Sequence, residues 1–261
     1  MVNSSAHRFS SWYRDFLKDA GVRNDSVLII HSAFRQLSRQ QIRAEFFCDI
    51  TLNYLTRGTL LMPTMTWRTV TSEQPVFDVR ETPSHTGILS EIFRQRYAST
   101  RSLHPTHSVS GCGRDAEGLL STHHYTGTPC SMESPYGIIT NGDLLHNTFF
   151  LLVSVGLESC TYIHYFEEVH APEIYLQEQT ETYLLKTATD NQMTYYLRPH
   201  RRLPRDFHQF GSKLARNNQL HFVSFEGVSF TLLAASNLSR VVQQTFRKTD
   251  YATVAGHSYF N

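Results

Sequence analysis

Three uninterrupted apolar stretches constrain this chain more than any other feature. They are Val27–Ile30 in SVLIIHSAF, Leu60–Met62 in TLLMPTMTW and Phe149–Val153 in TFFLLVSVGL. A strand with one wetted face alternates polar and apolar residues, whereas a strand apolar on both sides must be covered on both faces. Segments with helical spacing separate the stretches. In SSWYRDFLKDAG, Trp12 and Phe16 fall at i, i+4, as do Tyr13 and Leu17. Ser10 or Ser11 is expected to cap that helix and Gly21 to end it. RAEFFCDITLNYLT, TGILSEIFRQRYAS and TYIHYFEEVH read as further helices. The alternation predicts an α/β fold, a mixed sheet covered by helices.

After residue 172 the pattern changes. ETYLLKTATDNQMTYYLRPH reads as a hairpin about a turn at Thr189–Gln192, LHFVSFEGVSFTLLAAS as strand-like sequence and SNLSRVVQQTFRK as a capped final helix. The C-terminal part is therefore expected to be more antiparallel. No repeat or linker interrupts the chain, so one compact domain over 1–261 is expected.

Composition excludes several functions. The formal net charge is +1 with 18% charged residues, and no basic stripe suggests a nucleic-acid partner. The N-terminus lacks an apolar signal-peptide region, and TFFLLVSVGL is too short to span a bilayer. Four scattered cysteines with no C-x-x-C pair read as reduced thiols, which points to a cytoplasmic protein.

In covered parallel sheets, ligands gather beyond the C-terminal ends of the strands. Three segments fall there: His31–Phe34, Pro63–Trp67 and Gly156–His164. The last runs into a helix where Glu167 and Glu168 follow His164 at i+3 and i+4, so either carboxylate can share its face. An imidazole beside a carboxylate is a natural acid/base pair near neutrality. RSLHPTHSV holds two more histidines. Pro105 disfavours helical angles at His104, so the segment is expected to be extended. His104, Thr106 and Ser108 then share one face and His107 takes the other.

Five blocks in order, VLIIHSAFRQL, GTLLMPTMTW, TGILSEIFRQ through RSLHPTHSVSGCG, TPCSMESPYG and LLVSVGLESCTYIHYFEE, resemble the aminoglycoside 3-N-acetyltransferase (antibiotic N-acetyltransferase) family. The resemblance implies that family's own α/β fold rather than the GNAT fold. It implies acetyl-coenzyme A as donor, a primary amine as acceptor and no metal. The family's histidine followed three residues later by glutamate maps to His164 as general base and Glu167 as its orienter or as an amine anchor. Its His-Pro places His104 in the catalytic set and Ser108 with the donor site, and leaves His107 open between site wall and bystander. His31, Ser32, Ala33, Phe34, Tyr136 and Gly137 are expected along the pantetheine arm, with Gly87 opening a helix toward a phosphate. Acceptor contacts are expected from Thr66, Trp67, His107, Glu158 and Glu168, with Asp78 a further acidic group. Glu158 and Cys160 depart from the family's aspartate and asparagine. So few carboxylates suit a compact mono- or dicationic amine, such as an amino sugar or aminoacyl metabolite, better than a polycation.

Two other classes compete. A zinc-dependent hydrolase would use the string from His164 to His170, although its spacing misses both H-E-x-x-H and H-x-x-E-H. A ligand-binding protein that kept the fold would bind coenzyme A without releasing thiol.

Overall fold

In the computed structural model, which describes residues 4–256, the apolar stretches form the middle of one sheet. The strands, in chain order, are β1 (Val27–Ser32), β2 (Thr59–Pro63), β3 (Val76–Asp78), β4 (Thr100–Arg101), β5 (Val109–Gly113), β6 (Thr148–Val153), β7 (Glu181–Lys186), β8 (Gln192–Leu197), β9 (Leu220–Phe225) and β10 (Val228–Ala234). The main sheet has the order β4-β5-β2-β1-β6-β10-β9. β1 runs parallel to β2 and β6, and antiparallel strands complete both sides. The C-terminal ends of β1, β2 and β6 therefore open on one edge.

The strands are continuously apolar because each face meets its own helices. Leu28, Ile30, Leu60 and Met62 join one core with Phe9 and Tyr13 of α1 (Ser4–Asp19), Phe34 ahead of α2 (Arg35–Arg39), Phe47 of α3 (Ala44–Tyr54) and Phe93 of α4 (Ile88–Arg96). Val27, Ile29, Leu61, Phe150 and Leu152 join the opposite core. There they meet α5 (Ala116–Leu120), α6 (Pro135–Asn141), α7 (Tyr162–His170), α8 (Pro172–Tyr175), α9 (His208–Arg216) and α10 (Ala235–Phe246).

Two helix starts differ from expectation. α1 begins before Ser10 and Ser11, which lie within it, while Gly21 ends it as expected. Gly21 has φ +85°, and Val22 N–H reaches back to the Leu17 carbonyl at 3.0 Å. α10 starts at Ala235, with Ala234 at the N-cap position and no side-chain cap.

The C-terminal part splits between two sheets. β7 and β8 pair antiparallel around a turn spanning 187–191, close to the expected place, but they leave the main sheet and join β3 in a second one. This sheet packs Phe77, Tyr183, Leu185, Tyr195 and Leu197 into a small core of its own. The segment read only as strand-like is a hairpin, β9–β10. Glu226 and Gly227, both at positive φ, make its two-residue turn, and the alternating residues before them hid the reversal. Among the described residues, no helix is long and apolar enough to cross a membrane.

Candidate active site

A cleft of about 840 Å³ opens where the second sheet and the segment 199–205 face the ends of β1, β2 and β6. All three strand-tip segments line it, through His31, Ser32 and Ala33, through Pro63, Met65 and Trp67, and through Glu158, Ser159, Thr161 and His164.

His164 sits on the first turn of α7, where the i+3 spacing brings Glu167 beneath it. Its Nδ1 lies 2.7 Å from Glu167 Oε2. A carboxylate there accepts the Nδ1 proton and leaves Nε2 with its lone pair, which is the tautomer a base needs. Glu167 is fully buried. Arg205 Nε donates to both of its oxygens, at 2.9 and 3.1 Å, and Thr253 donates its hydroxyl to Oε1. Burial pushes this carboxyl's pKa up, but the charges and hydrogen bonds of His164 and Arg205 outweigh burial and hold it at about 2.

Glu168 goes the opposite way. One residue further round the helix it points behind the wall. Its Oε1 accepts from the Cys130 backbone N–H at 2.7 Å and lies 2.6 Å from His200 Nε2. With no guanidinium at hand, burial pushes Glu168 up to about 8, against the hydrogen bonds it accepts. His200 itself lines the cleft, its ring 4.7 Å from that of His164. Burial first, and then the neighbouring His164, holds His200 well below its ordinary pKa.

The RSLHPTHSV segment is not extended. Residues 105–107 form a turn, closed by His104 Nδ1, which accepts from the backbone N–H groups of Thr106 (3.3 Å) and His107 (3.0 Å). Pro105 restricts its predecessor but is itself a good turn former, and the imidazole supplies the acceptor that the turn lacks. The two faces are therefore not divided as the extended reading had them. Thr106 and His107 line the cleft, while His104 is wholly buried beside His123, with ring centres 4.6 Å apart. Ser108 is buried too. It donates to the Thr64 carbonyl at 2.8 Å and accepts from Arg101 Nε at 3.0 Å.

The remaining expected residues separate into wall and support. On the donor side, Ser32, Ala33 and Gly87 line both the cleft and an adjoining groove that also holds Phe34, Arg35 and Arg39. Gly87 opens α4 at φ +116°, a conformation that favours glycine. His31 is buried, and its Nε2 lies 3.4 Å from the Thr161 N–H. Tyr136 and Gly137 do not reach this groove, because α6 packs them into the core beneath α7. A Cβ at Gly137 would strike the Ser131 and Met132 carbonyls.

On the acceptor side, Trp67 is 45% exposed and lines the cleft, with the His85 ring perpendicular to it at 4.7 Å. Glu158 Oε1 accepts from the Gly156 N–H at 2.8 Å, and Oε2 lies 3.4 Å from His208. Thr66 is buried and donates its hydroxyl to the Pro105 carbonyl, pinning the turn. Asp78 is spent on backbone N–H groups of its own loop. Cys160 is a buried core thiol.

Sequence reasoning missed His85, His200, Arg205 and Thr253. The last three come from beyond residue 199, where no spacing links them to α7. The zinc string does not assemble, since His170 stacks on Phe246 at 5.0 Å, away from His164. A different trio, Cys130, Glu168 and His200, brings ligand atoms within 4.8 Å of one another. Hydrogen bonds to the Glu168 carboxylate already join its members.

A profile of the aminoglycoside 3-N-acetyltransferase family matches residues 29–247. No curated protein sequence matches the chain significantly. Solved structures share the fold. Aminoglycoside acetyltransferase AAC(3)-IVa, as apoenzyme, superposes with a TM-score of 0.72 at 19% identity, covering 93% of this chain and 90% of that one. AAC-VIa bound to sisomicin gives 0.72 at 18% identity, covering 90% and 96%. The YokD protein from Bacillus subtilis gives 0.70 at 15% identity, covering 91% and 98%. The profile takes in the strand tips, the α7 dyad and Arg205 alike, and on that match the chain belongs to the aminoglycoside 3-N-acetyltransferase family of acyltransferases.

Proposed function

We propose that this protein transfers the acetyl group of acetyl-coenzyme A to a compact primary amine, with His164 as general base. The observation that carries the reading is the Arg205–Glu167–His164 chain, which ends in an imidazole at the wall of the cleft. Acetyl transfer to an amine needs a base held in one tautomer, and a buried anion that stays charged supplies it.

In this mechanism the ammonium first loses one proton to solvent. The amine nitrogen attacks the thioester carbonyl, forming the C–N bond, and His164 Nε2 takes a second proton from that nitrogen. Glu167 accepts the Nδ1–H throughout and offsets the charge of the imidazolium. The carbon–sulfur bond then breaks, and the imidazolium returns its proton to the departing thiolate. Ser32 and Thr161 line the same cleft, and in this reading their hydroxyls donate to the transient oxyanion. The donor lies along Ser32, Ala33 and Phe34, its acyl end toward His164, with Arg35 and Arg39 of the adjoining groove available to its phosphates. His107 and His200 flank the base as wall residues, and His104 acts behind them by holding the turn. Four unpaired thiols suit a reducing, cytoplasmic setting.

The test is thiol release from acetyl-coenzyme A with a panel of primary amines, alongside calorimetric binding of the donor. Release with at least one amine, abolished in His164→Ala, is the expected result. Binding of coenzyme A without release for any amine would reduce the protein to a ligand binder. Stoichiometric zinc in the purified protein would reopen the hydrolase reading.

A further inference from the structure

The cleft holds polar groups that the transfer chemistry leaves unused. Trp67, Arg68 and His85 form one wall. The Arg68 guanidinium lies over the Trp67 ring at 4.8 Å, and the His85 ring meets the same indole edge-on. Both His85 ring nitrogens are buried from solvent, and neither has a hydrogen-bond partner. Burial, and then the charge on Arg68, lowers the His85 pKa to about 4, so the ring is neutral and offers one donor and one acceptor. Among the described residues, no carboxylate pairs with Arg68. Burying polar nitrogens without partners is costly, and an indole platform orients a guanidinium's donor fork toward an incoming acceptor.

The other charges of the cleft divide in the same sense. Arg205 is committed to Glu167 and Arg201 to Glu178, while Arg202 lines the cleft with no carboxylate partner among the described residues. The two carboxylates lining the cleft are engaged as well. Glu158 takes the Gly156 N–H, and Glu181 takes the Tyr183 hydroxyl proton. An acceptor with several ammonium groups would thus meet two guanidiniums without carboxylates, Arg68 and Arg202, and only two carboxylates, both with donors in place. An acceptor that pairs one amine with one oxyanion meets complementary groups at both ends.

Resting on the acetyl-transfer reading, we propose that the acceptor is a compact primary amine bearing a carboxylate or phosphate, bound by Arg68 and His85 beside the Trp67 face. The donor's own phosphates are the competing source of an oxyanion at this wall, and the kinetics separate the two.

The experiment compares kcat/KM within two matched pairs, glucosamine 6-phosphate against glucosamine and β-alanine against propylamine. Inorganic phosphate is added as an inhibitor in a second arm. The expected result is a preference of about tenfold or more for the anionic member of at least one pair, with phosphate competing against the amine. In Arg68→Gln that preference falls toward unity through the amine KM, and Arg68→Lys restores part of it. Several outcomes overturn the proposal: an equal or greater preference for the neutral amines, a preference unchanged in Arg68→Gln, or an effect confined to the KM for acetyl-coenzyme A. Turnover of the neutral amines tests acetyl transfer by itself. If they react and the anionic ones gain nothing, only the present proposal fails; if no amine reacts, both fall.

Discussion

Replacing Arg205 with Met probes the buried charge chain at its root. Met keeps much of the aliphatic length but removes the one guanidinium that meets Glu167 among the described residues, and Glu167 is a carboxylate with no exposed surface. Removing one partner of a buried ion pair costs about 3–5 kcal/mol, because the other charge is left uncompensated. For a chain of this size that lowers Tm by about 6–20 °C. The sign of the pH dependence is the sharper test. In the wild type Glu167 sits at about 2, below its ordinary 4.5. Its contribution to stability is therefore present above pH 4.5 and lost as pH falls through about 2. Without Arg205, burial dominates at Glu167 and the native state must recruit a proton onto its carboxyl. It then binds more protons than the unfolded chain near neutrality, so stability falls as pH rises. Thermal unfolding of both proteins, followed by circular dichroism from about pH 5 to about pH 8, gives the difference curve. A loss below about 1 kcal/mol, flat with pH, would refute the claim that Arg205 sustains the Glu167 anion.

Other substitutions separate the remaining roles. His164→Ala should keep its fold and its affinity for coenzyme A while thiol release falls by about 10²–10⁴-fold; wild-type turnover would remove it as base. His104→Ala should destabilise by about 1–3 kcal/mol in urea titration, since one buried and one partly buried backbone N–H lose their acceptor, whereas His107→Ala should act on the kinetics with little change in stability. The opposite pattern would restore the extended reading of that segment. Glu168→Gln should flatten the wild type's decline in stability between its ordinary 4.5 and about 8. A group whose pKa is raised on folding withdraws stability as pH climbs through that window, and an amide cannot titrate; an unchanged slope in denaturation midpoints would contradict a protonated Glu168.

Much of the fold could be read from the chain because its strands are unambiguous. Runs such as VLII and FFLLV admit few uses other than strands covered on both sides, and their polar tips had to meet at one edge. The cleft wall formed by Ser32, Trp67, Glu158 and His164 follows from that alone. What failed depended on partners distant in sequence or on local turns. The turn at 105–107 needed an imidazole acting as a backbone acceptor, which a side-chain alternation rule does not contain. Tyr136 and Gly137 sit on a motif expected at the donor site, yet close helix packing spends both on the core.

The consecutive glutamates of α7 show where sequence stops deciding. At i+3 and i+4 from His164, both can reach its face, and helix geometry alone is nearly indifferent between them. Arg205 breaks the tie from outside the helix, 38 residues away, by meeting one carboxylate and not the other. Glu167 gains a permanent counter-charge and stays an anion, so it can hold the Nδ1 proton of His164. Glu168 gains an N–H and the His200 imidazole but no cation, so burial keeps its proton on. Two chemically identical side chains, one residue apart, thus have their pKa values pushed in opposite directions. A second buried anion beside Glu167 would repel the first and raise its pKa toward the range in which His164 loses its fixed tautomer. The raised pKa of Glu168 is therefore part of what lets Glu167 stay an anion, and the two shifts part ways because a guanidinium meets one carboxylate and not the other.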